Sequence, residues 1–195
     1  MSPILTGVVA SGISGHLTSP TSYDSIQTVT LSTATTYIDF TSIPSTYKHL
    51  EIRWMAQSSA TADYETSAFM QFNGDTAYNY SSHYFGANQV PANYTYGYYT
   101  GIYAPMSNHG GLNTYGNNTY QFTGAVLNIN NYAATDKYKT TQSISGVAAY
   151  NNTYSYIYRT SHNWRSTSAI TSIRFAPVSA SWAANTTVAL YGIKG

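Results

Sequence analysis

The chain has 195 residues, 8 basic against 7 acidic, and a formal net charge of +1; only 8% of it is charged, while tyrosine supplies 21 residues and cysteine none. That length suits one domain able to bury a core without staples. The missing cysteines exclude a disulfide framework, a thiolate zinc site and a cysteine nucleophile, and the scattered charges form no basic stripe that could track nucleic-acid phosphates. No apolar run reaches the roughly 18 residues of a membrane-spanning helix, so neither nucleic acid nor membrane is an expected partner.

The opening stretch MSPILTGVVASGISGHLTSP has no basic n-region and no long apolar run, which argues against a signal peptide. Residues 1–20 read as an N-terminal arm that becomes ordered by docking, with Ile4, Leu5, Val8, Val9 and Ile13 as its anchor candidates. Residues 21–195 read as one β-sandwich domain. From Tyr23 the apolar pattern has period two. Val29 and Leu31 alternate with Thr28 and Thr30, Ile38 and Phe40 with Tyr37 and Asp39, and Leu50, Ile52 and Trp54 with Glu51, Arg53 and Met55. Phe122 to Ile129, Ile170 to Phe175 and Val188 to Ile193 are further β-prone runs.

Turn chemistry punctuates these runs. Asn73-Gly74 after Phe69-Met70-Gln71-Phe72 predicts a hairpin turn. Ser42-Ile43-Pro44-Ser45 ends one strand before the next begins near Lys48, and Asn131 to Asp136 allows at most one helical turn. About eight to ten strands result, and the predicted fold is all-β: an antiparallel, jelly-roll-like β-sandwich. Leu50, Ile52, Trp54, Phe122, Leu127, Ile170, Ile173, Phe175 and Leu190 are the core candidates.

The stretch Asp75 to Asn118 departs from this pattern and reads as two or three strands with long loops. Tyr78, Tyr80, Tyr84, Tyr94, Tyr96, Tyr98, Tyr99 and Tyr103 crowd it, interleaved with Asn, Gly and Ser. Tyrosine combines a large apolar ring with a polar tip, and with small polar neighbours it suits interfaces and sugar faces. These eight are the candidate contacts for a partner protein or a glycan. Alternate tyrosines also arise simply as cross-strand pairs within a sheet.

Catalytic chemistry has weaker signals. His16, His49, His83, His109 and His162 lack metal-ligand spacing, so no metal and no cofactor is expected, and His49 reads as a surface or hydrogen-bonded residue. His109-Gly110-Gly111 is a loop signal before it is an oxyanion loop. Asp63 and Glu65 are close in sequence but do not define two carboxylates across a cleft, and Asp75 reads as a turn residue. No catalytic residue is assigned, and the chain reads as a non-enzyme.

A set of segments carries a family resemblance. They are Ser42-Ile43-Pro44-Ser45-Thr46-Tyr47-Lys48-His49-Leu50-Glu51-Ile52-Arg53, then Gln71-Phe72-Asn73-Gly74-Asp75, then Asn79-Tyr80-Ser81-Ser82-His83-Tyr84. Asn131-Tyr132-Ala133, Lys137-Tyr138-Lys139-Thr140, Trp164 to Ile173 and the terminal Leu190-Tyr191-Gly192-Ile193-Lys194-Gly195 continue it. Together these segments resemble structural proteins of tailed bacteriophages in which a jelly-roll-like domain decorates the virion. The resemblance spans nearly the whole chain and is thinnest in the tyrosine-rich segment. It implies a virion component without enzymatic activity, assembled in the host cytoplasm and carried on the particle surface. The expected partners are the phage coat protein or other virion proteins. The expected role is capsid decoration or cement, as a homotrimer; the alternative is a receptor-binding or carbohydrate-binding module on a tail fibre.

Overall fold

The computed structural model describes residues 22–59, 65–88, 90–99, 101–107, 122–147, 156–178 and 180–195. Twelve strands are present: β1 (Tyr23–Thr30), β2 (Ile38–Phe40), β3 (His49–Ala56), β4 (Glu65–Phe72), β5 (Tyr80–Asn88), β6 (Val90–Tyr99), β7 (Ile102–Ser107), β8 (Thr123–Asn130), β9 (Lys139–Val147), β10 (Tyr156–Trp164), β11 (Ile173–Pro177) and β12 (Thr187–Ile193). There is no helix among the described residues. The strands form an eight-stranded sheet in the order β1-β12-β3-β8-β9-β10-β5-β6 and a four-stranded sheet in the order β2-β11-β4-β7. Every named pair is antiparallel. The arrangement is an all-β sandwich, compatible with a jelly-roll-like architecture.

The core lies where the four-stranded sheet covers β12, β3 and β8. Strand β3 sends Leu50, Ile52, Trp54 and Ala56 inward, as its period-two pattern requires, and β11 adds Ile173 and Phe175. Leu127, Ile129, Ile170, Trp182, Val188 and Leu190 close the same cluster. Phe122, expected in the core, is only half-buried and lies one residue before β8, outside the cluster.

Two features depart from what local sequence conveys. Asn73 and Gly74 do turn the chain, with φ of 54° and 67°, and the amide of Asp75 donates to Phe72 O at 2.9 Å. Yet β4 and β5 on either side of the turn belong to different sheets, so no hairpin closes there. Instead the Asn73 side chain ties the turn to a distant loop. Its Nδ2 donates to Ala169 O at 2.7 Å, and its Oδ1 accepts the amides of Thr171 and Ser172 at 2.8 and 3.1 Å. Positive φ dictates a tight turn, but not which strand the outgoing chain will join.

The second feature concerns β9 and β10. Their inward positions mix the buried polar Lys139, Thr141, Ser143, Ser145, Thr160 and His162 with the buried aromatics Tyr158 and Trp164, while Ile144 and Ile157 face outward and are exposed. Strand β7 crosses over this polar stretch of β9, β10 and β5.

Candidate functional site

Strands β5, β6 and β7 take up most of the tyrosine-rich segment. Tyr78 is exposed. Tyr80 is not: it is fully buried, and this corrects its assignment as a contact candidate. Its ring stacks on Trp164 at a centroid distance of 6.2 Å and 16° between planes, and it packs against Phe72. Its hydroxyl accepts the Phe72 amide and donates to Asp75 O, both at 3.1 Å. Burial raises its pKa far above the ordinary phenol range. Tyr80 is the first residue of β5, where the chain enters the large sheet, so its ring plugs the seam between the sheets.

The other candidates take positions in the ladders. Tyr94 lies opposite Tyr84, Tyr96 opposite Ser82, Tyr99 opposite Tyr80, and Tyr103 opposite Phe69; Tyr98 lies on β6. The surroundings of the rings of Tyr84, Tyr94, Tyr96, Tyr98, Tyr99 and Tyr103 lie outside the described residues. So do the anchor candidates Ile4, Leu5, Val8, Val9 and Ile13, together with His16, Asp63 and His109.

Asp75 is a structural carboxylate. Oδ1 accepts the Ala77 amide at 2.9 Å, and Oδ2 accepts Asn79 Nδ2 at 3.0 Å and the Trp164 indole N–H at 2.7 Å. Partial burial pushes its pKa up, but these hydrogen bonds outweigh it and hold the carboxyl below the ordinary range. His49 Nδ1 accepts the amide of Asn131, the hydrogen-bonded role its sequence context suggested. Among the described residues no three His, Cys, Asp or Glu side chains converge as metal ligands do.

The sandwich carries a buried polar chain that sequence reasoning missed. Ser143 and Thr160 hydroxyls meet across the β9–β10 ladder, Thr160 Oγ1 meets His162 Nε2 at 2.7 Å, and His162 Nδ1 meets Ser82 Oγ at 2.8 Å. A neutral imidazole donates through one nitrogen and accepts at the other, which matches hydroxyls on both sides. Burial drives the His162 pKa down to about 3, so the ring is neutral near pH 7. Nearby, the buried amine of Lys139 donates to Lys137 O at 3.0 Å and Thr167 O at 3.3 Å, tying two loops together. Burial lowers its pKa, partly opposed by Asp136. Side chains enclosed in this way serve the fold; they do not face a cleft.

The exposed counterpart is the outer face of the eight-stranded sheet. Register places Arg53, Val126, Ile144, Arg159 and Phe85 side by side across β3, β8, β9, β10 and β5. Met55 and Ile157 flank this row. Met55, Phe85, Ile144 and Ile157 are 55%, 52%, 52% and 56% exposed. Contiguous apolar groups on a surface mark a contact site more often than scattered ones do. At the β1 side, Arg53 pairs with Glu51 at 2.6 Å and lies 5.6 and 5.2 Å from the ring centroids of Tyr23 and Tyr191. Those rings meet edge-on at 79°, and this does not make a flat stacking platform for a sugar.

No protein-family model and no curated protein matches the chain. Among solved structures it is similar to a protein of unknown function from Shewanella oneidensis, at 10% identity and a TM-score of 0.26, over 92% of this chain and 82% of that one.

Proposed function

We propose that this chain is a non-enzymatic structural protein of a tailed-bacteriophage virion, a capsid decoration or cement protein that acts as a homotrimer. The reading rests on the family resemblance and on one structural observation. The large sheet exposes Met55, Phe85, Ile144 and Ile157 on the face turned away from the four-stranded sheet. Such a face suits a protein held against neighbours in an assembly, where apolar burial across subunit joints stabilises the shell. Repetition over a lattice turns modest single contacts into high avidity. Residues 1–20 are the second contact in this reading, an arm reaching a neighbouring coat subunit.

A density map of intact virions tests it. The sandwich should appear in many copies seated on the capsid lattice. Density only at the tail tip would favour the receptor-binding alternative, and a virion lacking the chain would overturn the reading. Deleting residues 1–20 should leave a folded domain that decorates particles poorly.

A further inference from the structure

We infer that the outer face of β8, β9, β10 and β5 is a docking surface for a different protein, one that presents a carboxylate within an apolar surround to Arg159. The inference rests on the reading above and names the chemistry of the partner.

Three observations carry it. The first is reversed polarity. An antiparallel sheet with one wet face normally places apolar side chains inward and polar ones outward. Here Ser143, Thr160 and His162 point inward, beside the buried Tyr158 and Trp164, and bond to one another, while Ile144 and Ile157 point outward. The second is layout. The apolar row is bordered by a polar row in register, Asn128, Gln142, Ser161 and His83, of which all but the half-buried Asn128 are exposed. With strands about 4.8 Å apart, the row from Val126 on β8 to Phe85 on β5, with Arg159 set in it, spans about 14 Å. An apolar centre with a polar margin is how protein interfaces are organised.

The third observation is charge, and it selects the occupant. Arg159 is exposed between Ile144 and Phe85 in the ladder. On the strands of this sheet the described carboxylates, Asp24 and Glu51, are engaged by Lys194 and Arg53. A second copy meeting this face with its own would bring Arg159 against aliphatic groups or another Arg159, and the described carboxylates of that sheet are already paired. A heterologous partner with an Asp or Glu amid apolar residues satisfies both the cation and the aliphatic groups. Arginine ringed by apolar and aromatic side chains is also a typical energetic centre of such contacts.

The test uses the full chain and purified phage particles that lack it. Pelleting assays compare wild type with Ile144→Asp, Ile157→Ser, Arg159→Lys and Arg159→Glu, each first shown to unfold at the wild-type urea midpoint. Ile144→Asp and Arg159→Glu should each weaken binding by about 30-fold or more, with Arg159→Lys and Ile157→Ser weakened less. If Ile144→Asp does not fold, Ile157→Ser and Arg159→Glu decide. Wild-type affinity in the folded variants overturns the docking face and leaves the virion reading standing. Failure of the wild-type protein to bind particles overturns the virion reading and the partner with it. Two other results overturn the inference: oligomers that dissociate in Arg159→Glu, which make the face a contact between copies, and wild-type binding to phosphatidylglycerol vesicles that Arg159→Glu abolishes while particle binding is unchanged.

Discussion

The ring of Phe175 lies flat on the indole of Trp182, with centroids 4.6 Å apart and 9° between planes, and the indole N–H donates to Phe175 O at 3.2 Å. Trp182 is fully buried; its backbone bridges both Thr35 and Ser58 while its ring packs on β11, so one residue ties the small sheet to two loops. Trp182→Ala should cost about 3–5 kcal/mol in urea unfolding. Trp182→Phe keeps the stacking and loses the donor, so it should cost about 1–3 kcal/mol. Equal losses in the two variants would mean that the ring contributes little beyond its hydrogen bond.

Acid should weaken the fold through His162. Its folded pKa of about 3 lies below the unfolded value near 6.5, so below pH 6.5 the unfolded chain binds the proton more readily. Stability is then complete above that pH and falls toward pH 3 by up to about 1.4 kcal/mol per unit. His162→Gln should be less stable than wild type at pH 7.5 but lose little more on going to pH 5. Parallel stability curves for the two proteins over that range would refute the assignment.

Asp75 acts in a lower window. Its carboxyl titrates below its ordinary value near 3.8, so its contribution is present above that pH and disappears as acid protonates it. Asp75→Ala leaves the Trp164 indole and the Asn79 amide without their acceptor and should cost about 1–3 kcal/mol at pH 7. The gap between variant and wild type should narrow as the pH falls below that ordinary value. A gap that stays constant down to pH 2 would show that the charge is irrelevant.

Gly86 leaves room for Tyr158, its partner in the β10–β5 ladder. A methyl group at Gly86 would sit 2.1 Å from Tyr158 Cδ1. Gly86→Ala should therefore cost about 1–3 kcal/mol, and much less in a Tyr158→Ala background. Additive losses in this double-mutant cycle would mean that the strand shifts and the ring does not.

Much of the fold was legible from local pattern. Strands β1, β2, β3, β8, β11 and β12 show their alternation of apolar and polar residues, and eight of nine core candidates are buried, Phe122 excepted. Strands β9 and β10 were missed because most of their inward positions carry hydroxyls, an amine and an imidazole, which read as solvent-facing until contacts such as those of His162 with Thr160 and Ser82 enclose them. Tyr80 was misplaced for a related reason. Among so many tyrosines nothing local marks the one whose hydroxyl finds Phe72 and Asp75 and whose ring finds Trp164.

The sequence by itself determined the all-β class, the turn at Asn73-Gly74 and the apolar face of β3, because backbone propensity and period-two burial are local properties. Tertiary structure alone decided which sheet each strand joins, that His162 is enclosed, and that Ile144, Arg159 and Phe85 stand together on one surface. Those outcomes depend on strand pairing between residues far apart in the chain, where register, rather than composition, decides which side chains become neighbours.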